Sequence, residues 1–390
     1  MTRRVTEYFV FAIVAAGFLT MAFAAGYLTR DAALPLSLQS VDTPTLDQAH
    51  SILTREYLGE LPSGSALEYG MIRGMVAAIG DPFTVFVEPA AHELETEQLA
   101  GEFGGVGVTL THNEQMQVVL DVVPGGPAEA AGIREGDRLL QIDGADITPE
   151  MSLDEIAALI RGPVGTEVSL TVRPRDSDQL HTVKLERSAQ DIPSVEWRLL
   201  DEDLSVGVIA ISRFSERTPE EVRQALGDLT ARGASRLIMD LRNNGGGLLE
   251  ASVEVAKLFL DSGVVMYEQR RGEPEQTFEA AGGGPLGVGL PLVVMVNGGT
   301  ASAAEVVAGA LSQRGRAPLI GQKTFGKGSV QSIFELRDGS SLHVTSARWY
   351  TPDRSPLDGH GLDPTIPVEP AFDGADAEIA RALLYFVSGQ

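Results

Sequence analysis

There is no cysteine among the 390 residues of this chain, which excludes disulfides, thiolate nucleophiles and zinc–thiolate sites. Basic residues are scarce: 30 Lys and Arg against 54 Asp and Glu leave a formal net charge of −24. A nucleic-acid binder needs a basic face for phosphates, so this balance argues against one, and equally against non-specific docking on anionic lipid. The six histidines form no metal-ligand spacing such as HExxH, and neither a metal nor a cofactor is expected. A G-x-S-x-G elbow is also missing. Because His343 alternates with Leu342 and Val344 in a strand pattern and neither it nor His360 has an evident serine partner, a Ser-His-Asp hydrolase is disfavoured.

What is present fits a folded, multidomain protein. Hydrophobic residues make up 43% and charged residues 22%, ordinary values for a chain long enough to hold two or three cores. From Tyr8 to Leu28 no charge occurs, close to the roughly 20 residues that cross a bilayer as a helix. Arg3 and Arg4 precede the run, which favours an N-in membrane anchor with the remainder outside the cytoplasm, in a periplasm or at the cell exterior. A cleaved signal peptide is the rival, because Ala22-Phe23-Ala24 forms an A-x-A pattern; the protein is then secreted.

Along the chain the patterning changes character. Residues 31–100 are read as helical, with Leu46, Ala49, Ile52, Leu53 and Tyr57, then Leu67, Met71, Met75 and Ile79, at three- and four-residue steps. Residues 101–187 hold short alternating strands with Gly/Pro turns, a small barrel-like module. Residues 188–370 alternate strands and helices, an α/β layout with a parallel section. A glycine-rich stretch, Ala281–Gly289, reads as a surface loop, and 371–390 as a short amphipathic helix.

Four segments carry chemistry. Gly105-Val106-Gly107-Val108 and PGGPAEAAGIREGDRLLQIDG (124–144) suit a loop of closely spaced N–H groups that holds a free C-terminal carboxylate while a strand edge pairs with the peptide. LRNNGGG (241–247) is a strand, a glycine turn and then a helix. Asn243 and Asn244 suit unusual dihedrals, and N–H groups near Gly245 and Gly246 are placed to meet an oxyanion. In NGGTASAAE (297–305), Ser302 stands where a strand turns into a helix. Ser302-Ala303-Ala304-Glu305 also matches a capping box, so helix capping competes with nucleophilic catalysis. The small residues around Ser302 leave room for a peptide, and the helix dipole favours an alkoxide there. Lys327 follows 25 residues later and Gln331 four beyond it; a neutral lysine can take the serine's proton. Gly321-x4-Gly326-Lys327 falls short of a phosphate loop, because Gly328 replaces the magnesium-binding Ser/Thr and a strand follows where a helix is required. The Gly282–Gly287 match to G-x-G-x-x-G lacks flanking strand and helix.

With DPFTVFVEP (81–89) and GLDPTIPVEP (361–370), these segments resemble the carboxy-terminal processing peptidases, or tail-specific proteases, over nearly the whole chain after the apolar run. The 101–187 module resembles a PDZ domain. The resemblance implies an α+β multidomain chain with a crotonase-like α/β peptidase core at 188–370. It implies that Ser302 is the nucleophile, Lys327 the base and Gln331 its orienting partner, with Ala303 and Gly246 supplying the oxyanion hole. It further implies protein or peptide substrates with free, apolar C-termini, and Arg161 is a candidate for gating between PDZ and peptidase, while homodimer and monomer both stay open. An inert PDZ scaffold is the alternative.

Overall fold

The computed structural model describes residues 43–281, 287–355, 357–369 and 376–389. The apolar run Tyr8–Leu28 and most of the Ala281–Gly289 loop lie outside them. Among the described residues no helix is long and apolar enough to cross a membrane. The chain divides into two compact units, residues 1–68 and 69–390.

The first unit contributes α1 (Pro44–Glu56), opened by a proline at its first turn, and the beginning of α2 (Gly64–Ala77). In the second unit β1 (Val85–Val87) is followed by α3 (Pro89–Ala100), which ends on left-handed Gly101. The PDZ-like module comprises β2 (Glu102–Gly105), β3 (Val108–His112), β4 (Val118–Val122), α4 (Pro127–Ala130), β5 (Asp137–Ile142), β6 (Ala145–Asp146), α5 (Leu153–Ile160), β7 (Glu167–Arg173), β8 (His181–Glu186) and β9 (Ser188–Asp191). Its antiparallel sheet runs β3-β4-β5-β7-β8, and β2 pairs with β9. Val106, Leu120, Ile156 and Leu170 sit in its core.

The α/β layer consists of β10 (Val195–Leu200), β11 (Asp203–Ile211), α6 (Thr218–Ala231), β12 (Arg236–Asp240), α7 (Leu249–Phe259), β13 (Gly263–Arg270), β14 (Gln276–Ala280), β15 (Leu292–Val296), α8 (Ala303–Gln313), β16 (Leu319–Gly321), β17 (Ser329–Glu335), β18 (Ser341–Tyr350), β19 (Ile366–Pro367) and α9 (Ala377–Ser388). One sheet runs β10-β11-β12-β15-β16-β19 and is parallel from β11 onward. All five residues of β15 are buried, as a strand covered on both faces must be. Side chains alternate across it. Leu292, Val294 and Val296 join the core that contains α6, α7 and α8, while Val293 and Met295 face the smaller core completed by Ile379, Ala382 and Leu383 of α9. The terminal helix expected from 371–390 therefore covers the second face of the sheet. A second, antiparallel sheet, β1-β18-β13-β14 with β17 on β18, carries the strand after Lys327. The strand-like runs that the sequence shows at Ser332–Leu336 and Ser341–Tyr350 fall on β17 and β18, whereas β1, β13 and β14 were not legible as strands.

Candidate active site

β12 and β15 are parallel neighbours, so the turns that leave them emerge at the same end of the sheet, where open α/β sheets bind ligands. These turns, 241–248 and 297–302, are laced together. Asn243 N–H donates to Asn297 Oδ1 at 2.9 Å and Asn297 Nδ2 returns a bond to Asn243 Oδ1 at 3.0 Å. Ala301 N–H reaches the Asn244 carbonyl at 2.9 Å, and buried Thr300 donates its hydroxyl to the Leu241 carbonyl at 2.8 Å. Of the two asparagines expected to adopt unusual dihedrals, Asn243 does so, with φ 57°. Asn244 is fully buried instead, with Nδ2 on the Ile211 carbonyl and Oδ1 accepting the Gly246 N–H at 2.9 Å.

Ser302 begins α8 with φ 54° and ψ −119°, a backbone region that costs a non-glycine residue roughly 1–3 kcal/mol. Here two S-x-x-E segments of the chain part ways. At Ser152 both arms close in an ordinary N-cap, Ser152 N–H to Glu155 Oε2 at 2.7 Å and Glu155 N–H to Ser152 Oγ at 3.2 Å. At Ser302 the box is present in outline only. Its backbone N–H does reach Glu305 Oε2 at 2.9 Å, but the Glu305 N–H bonds the Ser302 carbonyl at 2.8 Å and no hydrogen bond ties up the hydroxyl. The turned-out backbone frees that hydroxyl from capping. Gly246 packs beneath it: a Cβ there would stand 3.0 Å from Ser302 Cβ.

Glu305, fully buried, does more than close a box. Its two oxygens accept the Thr324 hydroxyl at 2.5 Å, the Gly326 N–H at 2.8 Å and the Lys327 N–H at 2.9 Å, besides the Ser302 N–H. The near-match to a phosphate loop is explained: Gly326 and Lys327 wrap an anion, and the anion is the protein's own carboxylate. Gly326, at φ 88°, has room for no side chain, since a Cβ would lie 2.6 Å from the Gly361 nitrogen. Thr324 passes the connection on by accepting the Leu362 N–H at 2.7 Å.

The Lys327 side chain is half-buried. Its Nζ donates to Gln331 Oε1 at 2.5 Å and stands 5.1 Å from the Phe83 ring centroid. Gln331 in turn donates Nε2 to the Phe83 carbonyl at 2.5 Å, which explains the presence of the DPFT loop at the site. Burial pulls the lysine below its ordinary pKa, against Glu95 and Asp81, whose charges favour the ammonium form. Nζ bonds Gln331 and not Ser302, so the pair is near the same turns without being joined. Of the expected oxyanion donors, the Ala303 N–H is the first of α8 and has no acceptor within the helix. The Gly246 N–H is given to Asn244.

The PDZ-like module has a groove of about 660 Å³ lined by Gly105, Val106, Gly107, Val108, Leu110, Leu153 and Arg161, among others. The Arg161 guanidinium lies 4.4 Å over the Phe103 ring of β2. Its charge also acts on Glu97 of α3, whose carboxyl is raised by burial and partly restored by the arginine. Sequence reasoning missed Glu305 and Thr324 as site residues and misread Asn244. The S-x-x-E spacing was the available signal for Glu305, but it looks the same whether the carboxylate caps a helix or holds a distant loop.

Residues 205–368 match the family described as Peptidase family S41, and residues 118–174 match a PDZ domain. Among curated proteins, the carboxyl-terminal-processing protease of a Picosynechococcus species is 41% identical over 80% of this chain and 76% of its own. The Synechocystis protein of that name is 38% identical over 85% and 78%. Carboxyl-terminal-processing peptidase 1, chloroplastic, of Arabidopsis thaliana is 35% identical over 80% of this chain and 64% of its own. Among solved structures, a photosystem II D1 C-terminal processing protease is 32% identical and covers 87% of this chain and 90% of its own, with a TM-score of 0.48.

Proposed function

Since the chain belongs to the carboxyl-terminal-processing proteases of peptidase family S41, serine peptidases with a PDZ domain, we propose that it hydrolyses peptide bonds through Ser302 as nucleophile and Lys327 as general base. Gln331 orients the lysine. The observation that carries this assignment is the Glu305 carboxylate, which binds the turn of Ser302 and the backbone of Lys327 at once. Two segments 25 residues apart are thereby held over one end of the sheet. The depressed pKa of Lys327 favours the neutral amine that a base must be.

Hydrolysis then runs as follows. Neutral Lys327 takes the Ser302 proton as the hydroxyl attacks the peptide carbonyl. The oxyanion is met by the Ala303 N–H at the positive end of α8. The Gly246 N–H joins it once the turn releases it from Asn244 Oδ1. Lysine returns the proton to the leaving amine, and water repeats the cycle on the acyl-enzyme. For this the neutral Lys327 amine must exchange Gln331 for Ser302. The arrangement described above is therefore a resting one.

Substrate tails are proposed to enter the groove at 105–108 and shift that balance, with Arg161 as the contact between module and peptidase. Support comes from Arg161 standing between Phe103 and Glu97, on elements that lead to α3, whose Glu95 acts on Lys327. The proposed boundaries are 101–187 for the PDZ domain and 188–370 for the peptidase core. The proposed setting is extracytoplasmic, reached through an N-terminal anchor or a cleaved leader, and substrates end in apolar residues. An active-site phosphonate that labels wild type but not Ser302→Ala supports the assignment. Equal labelling of both, or near-normal turnover by Lys327→Ala, overturns the dyad, and no labelling of the wild type favours an inert scaffold.

A further inference from the structure

Beside the catalytic residues stands a cluster that the peptidase mechanism does not use. His92 and Glu95 lie three residues apart on α3, hence on one face of the helix. His343 lies on β18, between β1 and β17 in register with Val85 and Ile333. A nitrogen of each histidine and a carboxylate oxygen of Glu95 all fall within 4.8 Å of one another. His343 is only 6% exposed, and its Nε2 points at the cluster. That nitrogen is 3.3 Å from Glu95 Oε2, yet the angle does not make a hydrogen bond and Nε2 is left without a partner. Buried His92 Nδ1 is likewise without one. Buried polar atoms are nearly always satisfied, and an unsatisfied imidazole nitrogen beside a carboxylate, with a second on the neighbouring histidine, calls for a missing partner.

We propose that His92, Glu95 and His343 bind one divalent transition-metal ion of the zinc class, which staples α3 to β18 next to Lys327. Two imidazoles and a carboxylate form an N2O donor set that suits Zn²⁺ and its late first-row neighbours, whereas Mg²⁺ and Ca²⁺ prefer oxygen alone. Metal–ligand bonds of about 2.0–2.2 Å require the donor atoms to sit somewhat closer than 4.8 Å, a movement the half-exposed side chains on α3 can supply. Partly exposed Glu95 leaves an entry path and room for water as a further ligand. An ion pair alone explains the cluster less well, because the 3.3 Å approach of His343 Nε2 to Glu95 Oε2 makes no hydrogen bond. Single-sequence motif reading finds no such site because His343 follows Glu95 by 248 residues.

The test uses the full chain without an affinity tag, carrying Ser302→Ala to prevent self-cleavage, and stripped with EDTA. Zn²⁺ is titrated by calorimetry and by thermal unfolding, and Co²⁺ by its ligand-field absorption. One-to-one saturable binding is expected, with a rise in Tm and Co²⁺ bands displaced by Zn²⁺. His92→Ala and Glu95→Gln, on the helix surface, are each expected to weaken binding at least tenfold; His343→Asn adds a third arm if it folds. Absence of saturable binding, or binding of undiminished strength in His92→Ala and Glu95→Gln, overturns the proposal and assigns any metal to other surface histidines.

Discussion

Glu305 Oε2 accepts the backbone N–H of Lys327 at 2.9 Å, so the residue three places after the proposed nucleophile fixes where the proposed base begins. Four donors converge on this one carboxylate. Replacing Glu305 with glutamine leaves one acceptor oxygen and points an NH₂ at N–H groups. Each buried donor left unpaired costs about 1–3 kcal/mol, so Glu305→Gln is expected to lose at least about 2 kcal/mol in urea denaturation. Turnover should fall at least a hundredfold. Wild-type stability and activity in this variant would contradict the role given to the carboxylate.

The left-handed backbone of Ser302 predicts an inverted order of stability. Glycine adopts φ 54° without strain and alanine does not. Ser302→Gly is therefore expected to be more stable than Ser302→Ala by about 1 kcal/mol, although mid-protein glycine usually ranks lower. Both variants should be inactive. Thermal unfolding of the pair decides the question, and an alanine variant at least as stable as the glycine one refutes it.

Lys327 sets the pH dependence. Burial lowers its pKa, while Glu95 and Asp81 pull it back up. Only the neutral amine accepts the Ser302 proton, so kcat/KM, measured with EDTA present, should rise with pH through the folded-state pKa and then level. The same shift acts on stability. The unfolded chain binds this proton more tightly, so the lysine penalises folding at low pH, and the penalty is relieved as pH climbs from the folded pKa towards about 10.4. Lys327→Met should flatten both responses in that window. A profile of kcat/KM that is level from acid to alkaline pH in wild type would mean another base.

The role proposed for Gln331 is to aim the lysine, without contact to substrate. Gln331→Ala should lower kcat by roughly ten- to a hundredfold, within what positioning of a general base contributes, with KM little changed. The acid limb of the pH profile should move, because the partner of Nζ is gone. A pure rise in KM would instead place Gln331 in substrate binding.

Arg161 provides the check on gating. Its guanidinium lies over Phe103 and its charge acts on Glu97, and Arg161→Ala is expected to reduce the ratio of hydrolysis with and without a tail peptide severalfold. Arg161→Lys should restore it only in part, since an ammonium stacks less well on an aromatic face. An unchanged ratio removes Arg161 from the pathway.

Much of the site could be read from residues alone. Ser302, Lys327, Gln331 and the glycine turn at 245–247 lie in short segments whose turn chemistry is local, and glycine, asparagine and proline announce such turns directly. The alternation of strands and helices over 188–370 was equally plain. The antiparallel strands β13 and β14 were not, because they lack a strict two-residue period. Asn244 was misread because its local role, tolerance of a turn, gave way to a buried one in which its side chain takes the Gly246 N–H.

By itself the sequence determined what depends on neighbours along the chain: where the strands turn into helices, that no thiol exists and acidic charge predominates, and that a serine and a lysine recur at a suggestive distance. Ser152 and Ser302 mark the limit. Both begin S-x-x-E, both precede helices, and nothing within four residues separates a cap from a catalytic elbow. Tertiary structure separates the two serines, because only folding brings Thr324, Gly326 and Lys327 to the Glu305 carboxylate and turns the Ser302 backbone to φ 54°. The same holds for His92, Glu95 and His343, joined across two elements that the chain keeps far apart. Carboxylates and imidazoles act over a few ångströms, and sequence spacing does not measure those.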